Sequence, residues 1–195
     1  SCYCIPPVSY NPCSDCWISD VVTLGGITDF SNSSGCSSNS YNDFSGSKIA
    51  SNFQLGYTTM SFTSSSYGMS FSVWIDYNDN AVFETSERVI ENDNYSGALT
   101  VTDHFTVPIS AAPGTHRMRI RGDDYGAPYD PCDRLFYGET EDYAFTVIAA
   151  LPCTGTPNPG NTISSASSVC PVDIFSLSLQ NNVAAIGITY QWQSS

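Results

Sequence analysis

The chain of 195 residues has room for one large domain, or for one domain and part of another. Charged residues make up 13%, well below the roughly 25% usual for globular proteins, with Ser, Thr, Asn, Gly and Tyr in their place, while a 41% hydrophobic fraction suffices for a core. The net charge of -13, with only six basic residues, repels phosphate backbones and anionic membrane surfaces; it excludes nucleic acid as a partner, argues against direct membrane insertion, and suits a soluble chain in a calcium-rich exterior.

The chain begins with "SCYC" and shows neither a leader nor an apolar run long enough to span a membrane, so it reads as a mature or excised segment of something longer. Its eight cysteines are Cys2, Cys4, Cys13, Cys16, Cys36, Cys132, Cys153 and Cys170. An even count in an acidic, Ser/Thr-rich chain predicts disulfides in an oxidising compartment, hence an extracellular or cell-surface location. Cys13-x-x-Cys16 also has zinc-ligand spacing, but nothing here resembles a second zinc knuckle and both histidines lie far away in sequence.

Strand signals dominate, and no window offers an amphipathic helix of ten or more residues, so the chain is expected to be all-β. "SFSVWIDY" (70–77) alternates Phe71, Val73, Ile75 and Tyr77 against Ser70, Ser72, Trp74 and Asp76, the pattern of a half-buried strand. It runs into "DYNDNAVFETSE", where Asp76, Asn78 and Asn80 sit two apart and Glu87 takes the twelfth position. That is calcium-loop spacing, with the Val82 carbonyl as a further oxygen and Ala81 where the sharp turn usually has Gly. The alternative is a plain turn, since Asn and Asp adopt left-handed backbone without any metal. Two carboxylates imply a weak site, with a dissociation constant of roughly 10⁻⁴ to 10⁻³ M, suited to a structural calcium ion and not to a sensor.

"THRMRIRG" places Arg117, Arg119 and Arg121 on one strand face, and "GETEDY" places Glu139, Glu141 and Tyr143 on one face with Thr140, Asp142 and Ala144 on the other. Two readings compete: paired carboxylates for glycoside hydrolysis, or a structural cross-strand network of Arg117 and Arg119 with Glu139 and Glu141, Arg119–Glu141 first among them. The second is preferred. The "RGD" at Arg121–Asp123 continues the strand alternation and reads as a chance tripeptide. Tyr125, Tyr129 and Tyr137 cluster in "DDYGAPYDPCDRLFY", either as sheet residues or as a sugar-stacking platform. His104 and His116 lie near no nucleophile motif and are expected on solvated strand faces.

Three prolines and two glycines in "AALPCTGTPNPGNT" mark a linker, taken as residues 150–162, between a first domain (1–149) and a second (163–195). In the second, Cys170 leads into a strand with Phe175, Leu177 and Leu179, and Trp192 comes about twenty residues later, as strands B and C of an immunoglobulin-like sandwich would place them. That domain is expected to be truncated, with the partner of Cys170 beyond residue 195.

"WIDYNDNAVFETSERVI", "GTHRMRIR" and above all "PCDRLFYGETEDYAFTV" resemble the GEVED domain, whose motif Gly-Glu-Val-Glu-Asp-Tyr stands here as Gly138 to Tyr143 with Thr140 for Val. "CYCIPP…CWISDVVTLGGITDFSNSSGCSS" fits as well, so the resemblance spans roughly residues 2–148, and the segment after residue 150 resembles immunoglobulin-like repeats of the same proteins. The resemblance implies an extracellular, antiparallel β-sandwich with disulfides, part of large secreted proteins of Bacteroidetes and other bacteria, found beside peptidases, adhesin repeats and type IX secretion sorting domains. It implies a non-catalytic adhesin, stalk or filament module whose partners are neighbouring domains, further copies, or a surface glycan or protein. The alternative is a carbohydrate-binding accessory domain of a secreted peptidase or glycoside hydrolase. The places of Cys36 and Cys132 in the resemblance predict a disulfide between them. The N-terminal four are then expected to pair among themselves, taken as Cys4–Cys13 and Cys2–Cys16, one of three connectivities.

Overall fold

Runs rich in Val, Ile, Phe and Thr become strands because such side chains pack on a pleated surface, and the Gly, Asn, Asp and Pro clusters between them turn the chain. The computed structural model describes residues 2–14, 16–94, 96–150, 158, 160–168 and 174–181, and the chain divides into two compact units, Ser1–Ala149 and Ala150–Ser195. The first unit holds β1 (Ile18–Leu24), β2 (Ser31–Ser33), β3 (Tyr41–Asp43), β4 (Ile49–Phe53), β5 (Tyr57–Ser64), β6 (Ser70–Ile75), β7 (Arg88–Asn92), β8 (Thr100–Thr106), β9 (Gly114–Asp123) and β10 (Gly138–Ile148). A single 3-10 turn, Thr85–Glu87, is the one helical element among the described residues.

The strands form two sheets, ordered β2-β1-β5-β8 and β3-β10-β9-β6-β7, with β4 also on β10. The fold is all-β and sandwich-like, with one departure from a wholly antiparallel arrangement. The long β10 takes β3 against Thr140–Asp142 and β4 against Ala144–Ile148, both in parallel. Residues 44–48 turn outward between them, tied by Phe44 N–H to the Asp142 carbonyl and Ala144 N–H to the Lys48 carbonyl. One strand edge of eleven residues thus serves two short strands.

The core lies between the sheets. Phe62 of one stacks on Phe71 of the other at 4.9 Å, and Phe105 meets Phe145 edge-on at 5.4 Å. Each such ring taken from water contributes about 1.5–3 kcal/mol. The outer face of the first sheet is ordinary, with hydroxyl pairs such as Thr63–Thr100 in solvent. The outer face of the second is not. All six positions of β6 are buried, contrary to the half-buried strand its alternation predicts. The reason is a second layer of irregular chain: Tyr3, Cys4, Phe83 and Pro131 lie against the outward-facing arginines of β9.

That layer also corrects the disulfides. The bonds are Cys4–Cys132 and Cys13–Cys36, with Cα separations of 6.0 and 5.5 Å, in place of Cys36–Cys132 and Cys4–Cys13. Residues 2–11 run along the sheet instead of folding back on themselves. Cys4 meets the loop holding Cys132, and the Tyr10 and Asn11 N–H groups bond the carbonyls of Leu135 and Phe136. Cys13 is thereby carried to Cys36. Cys2–Cys16 does not form either: Cys2 is an exposed free thiol, while Cys16 is buried in the core.

In the second unit β11 (Thr162–Ser164) pairs antiparallel with β12 (Leu177–Leu179), so Leu177 and Leu179 do lie on a strand. Cys153, Cys170 and Trp192, on which the immunoglobulin-like expectation rests, lie outside the described residues, as does most of the 150–162 linker.

Candidate functional site

The loop after β6 gathers the residues its spacing singles out. Asp76 is fully buried and accepts hydrogen bonds from the Tyr3 hydroxyl (2.7 Å) and from the N–H groups of Asn80 (3.3 Å) and Ala81 (2.9 Å). Asn78 donates to Glu84 (3.2 Å) and Glu87 (3.0 Å), and Asn80 donates to Glu84 at 2.6 Å. Asn80 also accepts the Val82 N–H, and the Val82 side chain is exposed. Ala81 has φ +65° and Asp79 φ +55°, so the Gly-like turn is present but is made by residues that carry a Cβ.

Burial pushes the Glu87 carboxyl up to about 7, with its hydrogen bond to Glu84 and the negative charges of Glu84 and Asp76 adding to the shift. Glu84, which sequence spacing leaves out, is held low by the hydrogen bonds from Glu87, Asn80 and Asn78. Three carboxylates thus crowd two amides whose side-chain oxygens are the kind calcium takes. Among the described residues, no group of three or more His, Cys, Asp or Glu side chains is arranged as a metal cage.

The arginine network exists with different partners. The register sets Arg119 opposite Asp142 and Arg121 opposite Thr140, whereas Glu141 lies opposite Ile120. Residues directly opposite share a face, so the arginines meet Asp142 and not the glutamates. Arg119 binds Asp142 through two parallel bonds of 2.7 and 2.9 Å, and its other N–H groups donate to the carbonyls of Cys4 (2.8 Å) and Pro131 (2.9 Å). Arg117 bonds Asp43 at 2.7 Å. Arg121 donates to Thr140 (3.0 Å) and to the carbonyls of Asp130 and Asp133; burial, and then the charge of Arg119, push it down to about 10.

Glu139 and Glu141 face the core instead. Glu139 accepts the N–H groups of Ile18 (3.2 Å) and Ser37 (2.8 Å), joining one sheet to the other, and burial raises its pKa. Glu141 accepts the hydroxyls of Ser34 (2.6 Å) and Tyr143 (2.7 Å), and burial pushes it up to about 7. Asn32 completes the chain by donating to Tyr143.

Three further placements matter. Arg121 and Asp123 of the RGD are buried in β9. His116 is buried too, not solvated as expected: β9 turns it inward, where it bonds Asp79 (3.0 Å) and the Ala112 carbonyl (2.7 Å), while His104 stays exposed beside Tyr57. Tyr125 and Tyr129 stand on an open cleft of about 410 Å³ in the loop between β9 and β10. Sequence reasoning missed two rings: Phe136, which lies within the same stretch and lines the cleft but was passed over among its tyrosines, and Tyr10, which is more than a hundred residues away in sequence and stacks beside Phe136.

No curated protein matches the chain. The family model of the GEVED domain matches residues 70–146, from the first residue of β6 almost to the end of β10. That span contains the Asp76–Glu87 loop, the three strand arginines, the aromatic cleft and Gly138–Tyr143. The first unit of this chain carries a GEVED domain.

Proposed function

We propose that the first unit is a non-catalytic, extracellular building block of a larger secreted or cell-surface bacterial protein of the type IX secretion kind, serving as adhesin stalk or filament module, with calcium holding the Asp76–Glu87 loop. The observation that carries this reading is where its charged groups are engaged. The acid pair that could have served catalysis, Glu139 and Glu141, faces the core and accepts hydrogen bonds from both layers of the sandwich, while the arginines hold loops and termini. Two disulfides and an acidic surface support an oxidising, calcium-rich exterior.

A stalk module has to resist extension. Cys4–Cys132 joins positions 128 apart, so a pull on the two ends of the unit loads β10 directly but leaves β1 to β9 inside the cross-linked loop. Single-molecule stretching of the chain should show a short oxidised extension, lengthened by roughly 450 Å after reduction, at about 3.3–3.6 Å per released residue. Equal extensions before and after reduction would contradict the mechanical role.

A further inference from the structure

We propose that the cleft between Asp93 and residues 121–136 is a binding site for a neutral pyranose unit of a glycan. The register of β9 and β10 brings Asp123 opposite Gly138, close enough for a tight hairpin turn, yet residues 124–137 are inserted there. Inserted loops of this length in compact domains are usually functional. This one is pinned on every side. The Asp123 carboxylate accepts the N–H groups of Tyr125 (3.2 Å), Phe136 (2.8 Å) and Tyr137 (3.2 Å), holding both rims. Arg121 grips the carbonyls of Asp130 and Asp133, Arg119 that of Pro131, and Cys132 is bonded to Cys4.

Within this fixed frame the aromatic side chains are left outside. Tyr125 is 76% and Tyr129 78% exposed, and Phe136 and Tyr10 are also exposed. The first unit exposes six such rings among its described residues, and four of them gather at this rim, which random surface placement does not favour. Phe136 lies between Tyr125 at 4.9 Å and Tyr10 at 5.2 Å, so the rings form a row. Beside the row the cleft measures about 410 Å³, within the small-molecule range of roughly 300–1,000 Å³.

The polar groups select the occupant. Asp93, Asp123, Asp130 and Asp133 line the cleft with Arg121 and Arg134; Asp93 Oδ1 accepts the Ala127 N–H and Asp130 Oδ1 those of Cys132 and Asp133, while the Arg134 guanidinium lies 5.0 Å over the Tyr10 ring. Acceptor-only carboxylates take hydroxyl hydrogens and a guanidinium donates to hydroxyl oxygens, so the set matches the rim of a sugar ring. The C–H face of the pyranose lies on an aromatic face, whose quadrupole is negative. The acidic lining and a net charge of -13 repel an anionic saccharide, and the exposed aromatic row gives a neutral sugar ring a contact that charge alone does not, so a polycation serves as the comparator for a basic peptide below. The frame is already rigid, so little ordering entropy is lost on binding.

The cleft shares no lining residue with the Asp76–Glu87 loop, so the site is tested separately from calcium. The experiment is affinity electrophoresis of the full chain through gels containing soluble β-glucan, xylan, mannan or dextran, with dextran sulfate and poly-lysine as charged comparators. At least one neutral polysaccharide should retard the wild type. The Tyr125→Ala/Tyr129→Ala double variant, with an unchanged melting curve because both rings are exposed, should bind it roughly tenfold more weakly or worse. The proposal is overturned if no neutral polysaccharide retards the chain, if the double variant is retarded equally, or if only a charged comparator acts.

Discussion

Two loops of the same sheet are held in opposite ways. Residues 76–87 are knit from within: Asp76, Asn78, Asn80, Glu84 and Glu87 bond one another and the loop's own backbone, with like charges crowded and two residues in left-handed backbone. Residues 124–137 are gripped from outside by buried groups on β9, by the N-terminal segment and by a disulfide. The first arrangement leaves repulsion that a cation would relieve. The second is fixed by buried groups and a covalent bond and leaves the rings of Tyr125, Tyr129 and Phe136 exposed. Position along one sheet therefore says less about a loop's role than the sign and origin of the groups that fix it.

The largest expected effect is on the externally held loop. Replacing Cys4 and Cys132 by Ser should cost about 5 kcal/mol by loop-closure entropy for a separation of 128, seen as a lower denaturant midpoint, while leaving calcium dependence intact. Asp123→Ala strands three N–H groups and should cost roughly 3 kcal/mol; a loss under 1 kcal/mol in urea unfolding would mean that the clamp is not what orders the rim.

How much of this the sequence disclosed depends on whether the signal was local. The Asp76–Glu87 spacing and the left-handed demand at Ala81 are local, and the loop gathers where the pattern put it. Strand periodicity gave the two faces of "GETEDY" correctly but not which of them meets the arginines. Both faces are polar, so hydrophobic alternation cannot fix the register, and a one-residue slip exchanges Glu141 for Asp142. The disulfides were invisible for a related reason. Sequence proximity favours Cys4–Cys13, but between them Tyr10 and Asn11 bond the carbonyls of Leu135 and Phe136, and Cys4 meets Cys132 instead. Tyr125 and Tyr129 were legible as a cluster; Tyr10 reaches the same rim only through that N-terminal path.

Within the sandwich, Glu141 gives a control of known sign. Its folded pKa of about 7 lies above the usual carboxylate value, so its share of stability is complete below about pH 4.5 and is lost as pH rises to about 7. The loss should amount to roughly 2–3 kcal/mol, and Glu141→Gln should flatten it in urea unfolding at pH 5 and pH 8. The slope that remains in that variant belongs to Glu87 and Glu139, whose carboxyls are also raised, and an undiminished slope would contradict the assignment to Glu141. Smaller still, Ala81→Gly should stabilise the internally knit loop by about 0.5–1 kcal/mol, since only glycine takes φ +65° without a steric cost. A destabilised Gly variant would show that the turn is not strained.

The most direct measurement is the melting curve of the full chain in millimolar calcium against chelator, at pH 6 and pH 8, for wild type and Asn78→Ala. Asn78 is exposed and its removal leaves the buried Asp76 bonds in place, so the variant keeps the fold. Binding at a weak site adds RT ln(1 + [Ca]/Kd), about 1 kcal/mol, which is a few degrees. Calcium should raise the wild-type midpoint by that amount, and more at pH 8, where Glu87 has lost its proton, than at pH 6. The Asn78→Ala midpoint should barely move. Superimposed wild-type curves with calcium and with chelator at both pH values would contradict the account and leave the loop a turn held by its own hydrogen bonds.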